Sequence, residues 1–225
     1  VKFNAIYIGM GVAALLFAFT KRKPQYGRAM LVGDSHSSRP WAVGGQLAKK
    51  LSDAGIPTHT EAHGGMNTAW FLRSGTLAKG LSKSRPELLV VIMGTNDSRM
   101  GMHDPAYDLA GNRLRSFKKR RASYRANLAK FVQKAKDAGV KHIIWFGPSK
   151  MSGKKAFLME PALRVERWQQ EVLKPLGVEW HSSMELTKDL PNSDGIHFKK
   201  RDYTTWGNRA AALVFDDVAA KTATS

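Results

Sequence analysis

A hydroxyl, an imidazole, a carboxamide and carboxylates recur in this chain at the points where apolar runs stop. In AMLVGDSHSS an apolar run ends abruptly at Gly33-Asp34-Ser35, which places a hydroxyl at a strand C-terminus just before a helix. In an open α/β sheet that edge is where ligands bind. A serine there is a nucleophile if a base can reach it. Taken alone, Gly-Asp-Ser is also ordinary turn and N-cap chemistry, so the chemical reading needs partners. ELLVVIMGTNDSR supplies one, with apolar residues at 88–93 followed by Gly94-Thr95-Asn96-Asp97. The Asn96 side-chain NH2 at a second strand end suits a developing oxyanion. NSDGIHFKKRDY supplies a base, with Asp194 and His197 three residues apart. On one turn or a tight loop the carboxylate can accept the Nδ1 proton and aim Nε2 at a hydroxyl. Between these blocks, EAHGGMNTAW carries Gly64-Gly65, whose backbone N–H groups can approach a ligand closely because no Cβ intervenes.

Together, in this order, the four blocks resemble the SGNH (GDSL-type) hydrolase superfamily over roughly residues 29–215. The resemblance implies Ser35 as nucleophile, His197 as general base and Asp194 as its orienter. It also implies an oxyanion hole made of the Ser35 backbone N–H, a glycine of the second block and the Asn96 side chain. Gly65 is preferred over Gly64 for the glycine. Where the family usually has leucine after the serine, this chain has His36, a variant also found in SGNH domains linked to polysaccharide acylation. The G-x-S-x-G elbow of the α/β-hydrolases is absent.

His36 and Asp97 flank these groups and are expected at the substrate: His36 as a pocket wall or packing residue, Asp97 as a brace of the Asn96 loop. Asp34 is expected to fix its turn. His59, Glu61 and His63 alternate along one strand face, yet HTEAH is not the helical H-E-x-x-H arrangement. A polar strand edge is the better reading, and neither a metal nor a cofactor is expected. Tyr203 and Trp206 are read as pinning the last helix.

Short apolar runs alternate with amphipathic stretches, which predicts a parallel α/β sheet, and the resemblance to the SGNH hydrolases implies a three-layer α/β/α sandwich around a mainly parallel sheet. Strands are expected at 29–32, 56–61, 88–93 and 141–146, the third apolar on both faces. Helices are expected at 41–54, 123–138, 161–173 and 204–219. The irregular stretch 98–121 is long enough for a substrate-side loop.

Residues 3–20 form an uncharged run closed by Lys21-Arg22-Lys23-Pro24. Its length meets the lower limit for a transmembrane helix, and no A-x-A cleavage site precedes the basic cluster. The expected organisation is therefore a membrane anchor with basic flank at 1–24 and an SGNH-like catalytic domain at 25–225. The positive-inside rule puts that domain on the cytoplasmic side. An envelope esterase would work on the other side, and a membrane-bearing virus particle would escape the rule's usual meaning.

Without cysteine, the chain has no disulfide and no thiolate catalysis. Its net charge is +18, and only five of its lysines and arginines lie in residues 1–28. The folded part is therefore itself strongly basic; six of the nine residues at 113–121 are cationic. Such a surface attracts anionic headgroups, acidic glycans or nucleic acid, although no nucleic-acid motif accompanies it. The expected function is a membrane-tethered serine esterase acting on short-chain O-acyl, especially O-acetyl, esters of an envelope glycan such as peptidoglycan or polysaccharide. Alternatives are a lysophospholipase or thioesterase acting on lipid and a glycan O-acyltransferase. From another class comes a basic structural membrane or virion protein that retains the fold.

Overall fold

Three runs that are apolar on both sides, AMLVG, LLVVI and HIIWF, are fully buried strands in the computed structural model. The structure describes residues 26–99, 106–107, 113–114 and 116–222. The expected anchor at 1–24 and half of the stretch 98–121 lie outside them. In chain order the elements are β1 (Ala29–Gly33), α1 (Val43–Asp53), β2 (Thr58–Ala62), α2 (Thr68–Arg73), α3 (Thr76–Ser84), β3 (Leu88–Ile92) and α4 (Thr95–Arg99). Two short strands follow, β4 (Ala106–Tyr107) and β5 (Arg113–Leu114), paired antiparallel with each other. The chain continues through α5 (Phe117–Asp137), β6 (His142–Phe146), α6 (Met159–Leu173), β7 (Glu179–His181), α7 (Ser183–Thr187) and α8 (Lys200–Thr222).

Five strands form one sheet in the order β2-β1-β3-β6-β7, and every pair is parallel. Side chains alternate across a strand, so each strand feeds both faces. On one face Leu31, Val90 and Ile144 pack under Val43, Leu47 and Leu51 of α1 and Trp206, Ala210 and Val214 of α8. On the other, Met30, Val32, Leu89, Val91 and Trp145 pack under side chains from α2, α3, α5 and α6, among them Phe71, Leu77, Phe131 and Val165. The result is a parallel α/β sheet, as the alternating pattern predicts, covered by helices on both faces to give the expected three layers.

Several elements differ from the sequence expectation. α5 starts at Phe117 rather than 123, because Ser116 accepts a hydrogen bond from the Lys119 N–H (3.1 Å) and caps the helix within the basic run. The last helix likewise starts at Lys200 rather than 204. The helices α2, α3 and α7 and the edge strand β7 were not expected; α2, α7 and β7 are too short to show a period. Among the described residues no helix is long and apolar enough to cross a membrane.

Candidate active site

Parallel pairing brings the ends of four strands to one edge. Gly33 pairs with Ala62 on one side and Ile92 on the other, and Ile92 pairs with Phe146. The turns after these residues carry Ser35, Gly64, Asn96 and Ser149. β1 and β3 also flank the point where the strand order reverses, the usual crevice of such sheets. Gly33 makes the sharp exit possible: a Cβ there would lie 2.2 Å from the Ser37 Oγ. The turn closes through Ser37 N–H to the Asp34 carbonyl (3.0 Å), with the His36 N–H on Asp34 Oδ1 (3.0 Å).

Across the crevice, the loop before α8 presents the imidazole. His197 Nε2 lies 2.9 Å from the Ser35 Oγ, and His197 Nδ1 lies 2.8 Å from Asp194 Oδ2. The other oxygen, Asp194 Oδ1, accepts the backbone N–H groups of Ile196 (2.9 Å) and His197 (2.7 Å). Burial pushes the Asp194 carboxyl up, but the His197 side chain, these two N–H groups and the His197 charge together hold it well below the ordinary range. A carboxylate so held stays ionised and fixes the His197 tautomer with its proton on Nδ1.

Asn96 stands at the matching end of β3. Its Nδ2 donates to Asp34 Oδ2 (3.3 Å) and the Met66 carbonyl (3.2 Å). The two glycines separate in role. Met66 N–H returns to the His63 carbonyl (3.3 Å), a turn in which Gly65 takes the left-handed position (φ +78°). A Cβ on Gly65 would meet nothing within 4 Å, whereas one on Gly64 would lie 3.9 Å from the Ser35 Cβ. Gly64, rather than the expected Gly65, is thus the glycine beside the nucleophile. Gly65 serves the turn.

His36 and Asp97 take the packing and bracing roles read for them, and both are turned inward rather than toward substrate, where they were also expected. His36 is 1% exposed, with Nδ1 2.9 Å from the Tyr203 hydroxyl and Nε2 3.1 Å from the Ser149 hydroxyl. Burial, and secondarily the His197 charge, push its imidazole down to about 3. Asp97, equally buried, accepts the Thr68 N–H and hydroxyl (both 3.1 Å) and so ties α2 to α4. Burial pushes Asp97 up to about 7, and Asp34 as well, with the Asp97 charge adding to the latter. Both side chains lie behind the site because the turns they occupy point inward.

His59, Glu61 and His63 do share a strand face: His59 Nε2 meets Glu61 Oε1 at 2.8 Å and His63 Nε2 meets Oε2 at 3.4 Å. The carboxylate is consumed by the two imidazoles, and no cluster among the described residues is arranged to hold a metal ion. Ser149 was missed in the sequence, though it follows Gly147-Pro148 at the end of an expected strand, the same signal that singled out Asn96.

A family profile described as a protein of unknown function (DUF459) matches residues 28–193, from the start of β1 to one residue before Asp194. No curated protein sequence matches the chain. Among solved structures, a lipase/acylhydrolase from Enterococcus faecalis superposes with a TM-score of 0.60 at 17% identity, covering 83% of this chain and 94% of that one. The acetylxylan esterase Axe2 of Geobacillus stearothermophilus, solved as a catalytic mutant, gives 0.60 at 16% identity, over 85% and 94% of the two chains. Its catalytic mutants replace a serine, a histidine or an aspartate by alanine. TesA gives 0.59 at 20% identity, over 80% and 94%. At these identities the likeness shows the fold alone, a parallel five-stranded sheet with helices on both faces.

Proposed function

The chain belongs to the DUF459 family, and we propose from its site that it is a serine esterase of the SGNH type. One observation carries the reading: the hydroxyl, imidazole and carboxylate of Ser35, His197 and Asp194 stand in sequence at 2.9 and 2.8 Å. Ser35 Oγ attacks an acyl carbonyl while His197 Nε2 takes its proton. Charge on the tetrahedral oxygen is met by the Ser35 N–H, the N–H groups of the Gly64-Gly65 turn and Asn96 Nδ2. The two bonds that Asn96 makes at 3.2 and 3.3 Å are at the long end for N–H···O. A developing oxyanion, which draws a shorter charge-assisted bond, can displace one of them. His197 then protonates the leaving alcohol, and water enters by the same route in reverse to free the acyl group.

The substrate in this reading is a short-chain O-acyl ester, with O-acetyl preferred, on an anionic envelope glycan. Supporting it are the net charge of +18 and the exposed Lys118, Lys119 and Lys130 of α5. The acetylxylan esterase among the similar folds supports it too. Tethering to a membrane is proposed from the uncharged run at 3–20 and its basic flank. The test is hydrolysis of p-nitrophenyl esters with acyl chains from two to sixteen carbons, with Ser35→Ala as control. A steep fall with chain length is expected. Rates sustained at long chains would replace the glycan reading by a lipid one, and full activity in Ser35→Ala would end the serine mechanism altogether.

A further inference from the structure

His36 follows the nucleophile directly, yet its side chain runs away from the crevice into the gap between the sheet edge and α8. It makes polar contacts on both sides of that gap: with Ser149, in the turn after β6, and with Tyr203, in the first turn of α8. The Tyr203 ring packs edge-on against Phe198, the residue after His197, with centroids 5.6 Å apart. A neutral imidazole donates at one ring nitrogen and accepts at the other, so His36 can bridge the two hydroxyls, each of which can do either. A chain of contacts thus runs from Phe198 beside the base, through Tyr203 and His36, to a strand-end turn of the sheet. The His36 ring also packs on its neighbours, with centroids 5.5 Å from His197, 5.2 Å from Trp206 and 6.1 Å from Phe198.

We propose that His36 is a positioning residue, which sets the placement of the His197 imidazole against Ser35 by bracing Tyr203, and through it Phe198, against Ser149. The inference rests on the serine-esterase reading. A leucine at this position would fill the space and leave the Tyr203 and Ser149 hydroxyls without their shared partner. Those hydroxyls are buried, and a buried polar group stripped of its partner is unfavourable enough to rearrange the loop. Because burial also keeps the His36 ring uncharged, it adds no repulsion to the imidazolium that forms on His197 during attack. A misplacement of a reacting group by about 1 Å can cost on the order of 100-fold in rate, so a brace of this kind bears on kcat directly.

The experiment compares wild type with Tyr203→Phe, Ser149→Ala, His36→Leu and His36→Gln. Three readouts are taken: kcat and KM on p-nitrophenyl acetate, the melting midpoint, and the downfield proton resonance of the His197 Nδ1–H on Asp194. Tyr203→Phe and His36→Leu are expected to lower kcat roughly 10- to 100-fold with KM within about twofold. Their downfield resonance should broaden or move upfield. His36→Gln, which keeps a donor toward Ser149, should recover part of the loss. Tyr203→Phe removes one hydroxyl only and carries the test if His36→Leu fails to fold. A lowered melting midpoint with kcat and the resonance unchanged would make His36 merely structural and overturn the proposal. If wild type itself shows no hydrolysis, the esterase reading fails separately; the resonance still reports whether His36 positions His197.

Discussion

The two sides of the crevice are built on opposite principles. On the sheet side, Asp34, Ser35, Asn96 and Asp97 leave adjacent parallel strands whose register fixes them to one edge, and both carboxylates are buried. On the loop side, Asp194 and His197 belong to a single turn, and the Asp194 side chain is 57% exposed. Electrostatics follows the architecture. Burial pushes Asp34 and Asp97 up to about 7, whereas hydrogen bonds and the His197 charge outweigh burial and hold Asp194 low. The sheet side uses its carboxylates as struts, for which desolvation is tolerable because each accepts hydrogen bonds. The loop side uses its carboxylate as a charge, which has to stay ionised to orient an imidazole. The lesson is that identical side chains at one site divide by exposure into scaffold and working group.

That division can be broken experimentally. Asp194→Asn should have the largest effect, lowering kcat on the order of 1,000-fold on p-nitrophenyl acetate, because the carboxamide no longer favours the required tautomer. A loss under tenfold would show that the loop side is not held by its charge. Asn96→Ala should follow, at roughly 100- to 1,000-fold, the usual cost of one oxyanion donor. Steady-state kinetics distinguish this from a binding defect, since kcat rather than KM should change.

Asp97→Asn should scarcely touch kcat but should change stability in a pH-dependent way. With a folded-state value near 7 and an unfolded value near 4, Asp97 binds its proton more tightly in the folded protein. Its contribution is then fully present below about pH 4 and is lost as pH rises through 7. Asparagine can satisfy Thr68 without titrating. The melting midpoint of Asp97→Asn relative to wild type should therefore rise from pH 5 to pH 8. A difference constant across that range would mean that burial does not perturb this carboxyl. Asp194 has the opposite sign, stabilising above about pH 4 and less so as pH falls; exposure screens it.

Much of this was legible in the sequence, for reasons that differ between residues. Ser35 and Asn96 announce themselves because a run that is apolar on both faces has to be a buried strand, and its end has to be an edge. Asp194 and His197 are legible because three-residue spacing is itself the geometry of a loop contact. Gly64 and Gly65 could not be separated, since only the closed turn reveals which of them needs a positive φ. His36 read as a residue at the substrate because its type is polar; its burial depends on Tyr203 and Ser149, which are distant in the chain. The start of α5 was hidden by its own charge, as a run of lysine and arginine carries no apolar period even when Ser116 caps it.

The central claim is that Ser35 is a nucleophile activated by His197. Its most direct test is labelling of the protein by a fluorophosphonate, read by mass spectrometry on the peptide that contains Ser35. The account predicts stoichiometric modification of Ser35 in wild type, none in Ser35→Ala and strongly slowed modification in His197→Ala. A wild-type protein unmodified at Ser35, or labelled as fast without His197 as with it, would contradict the account.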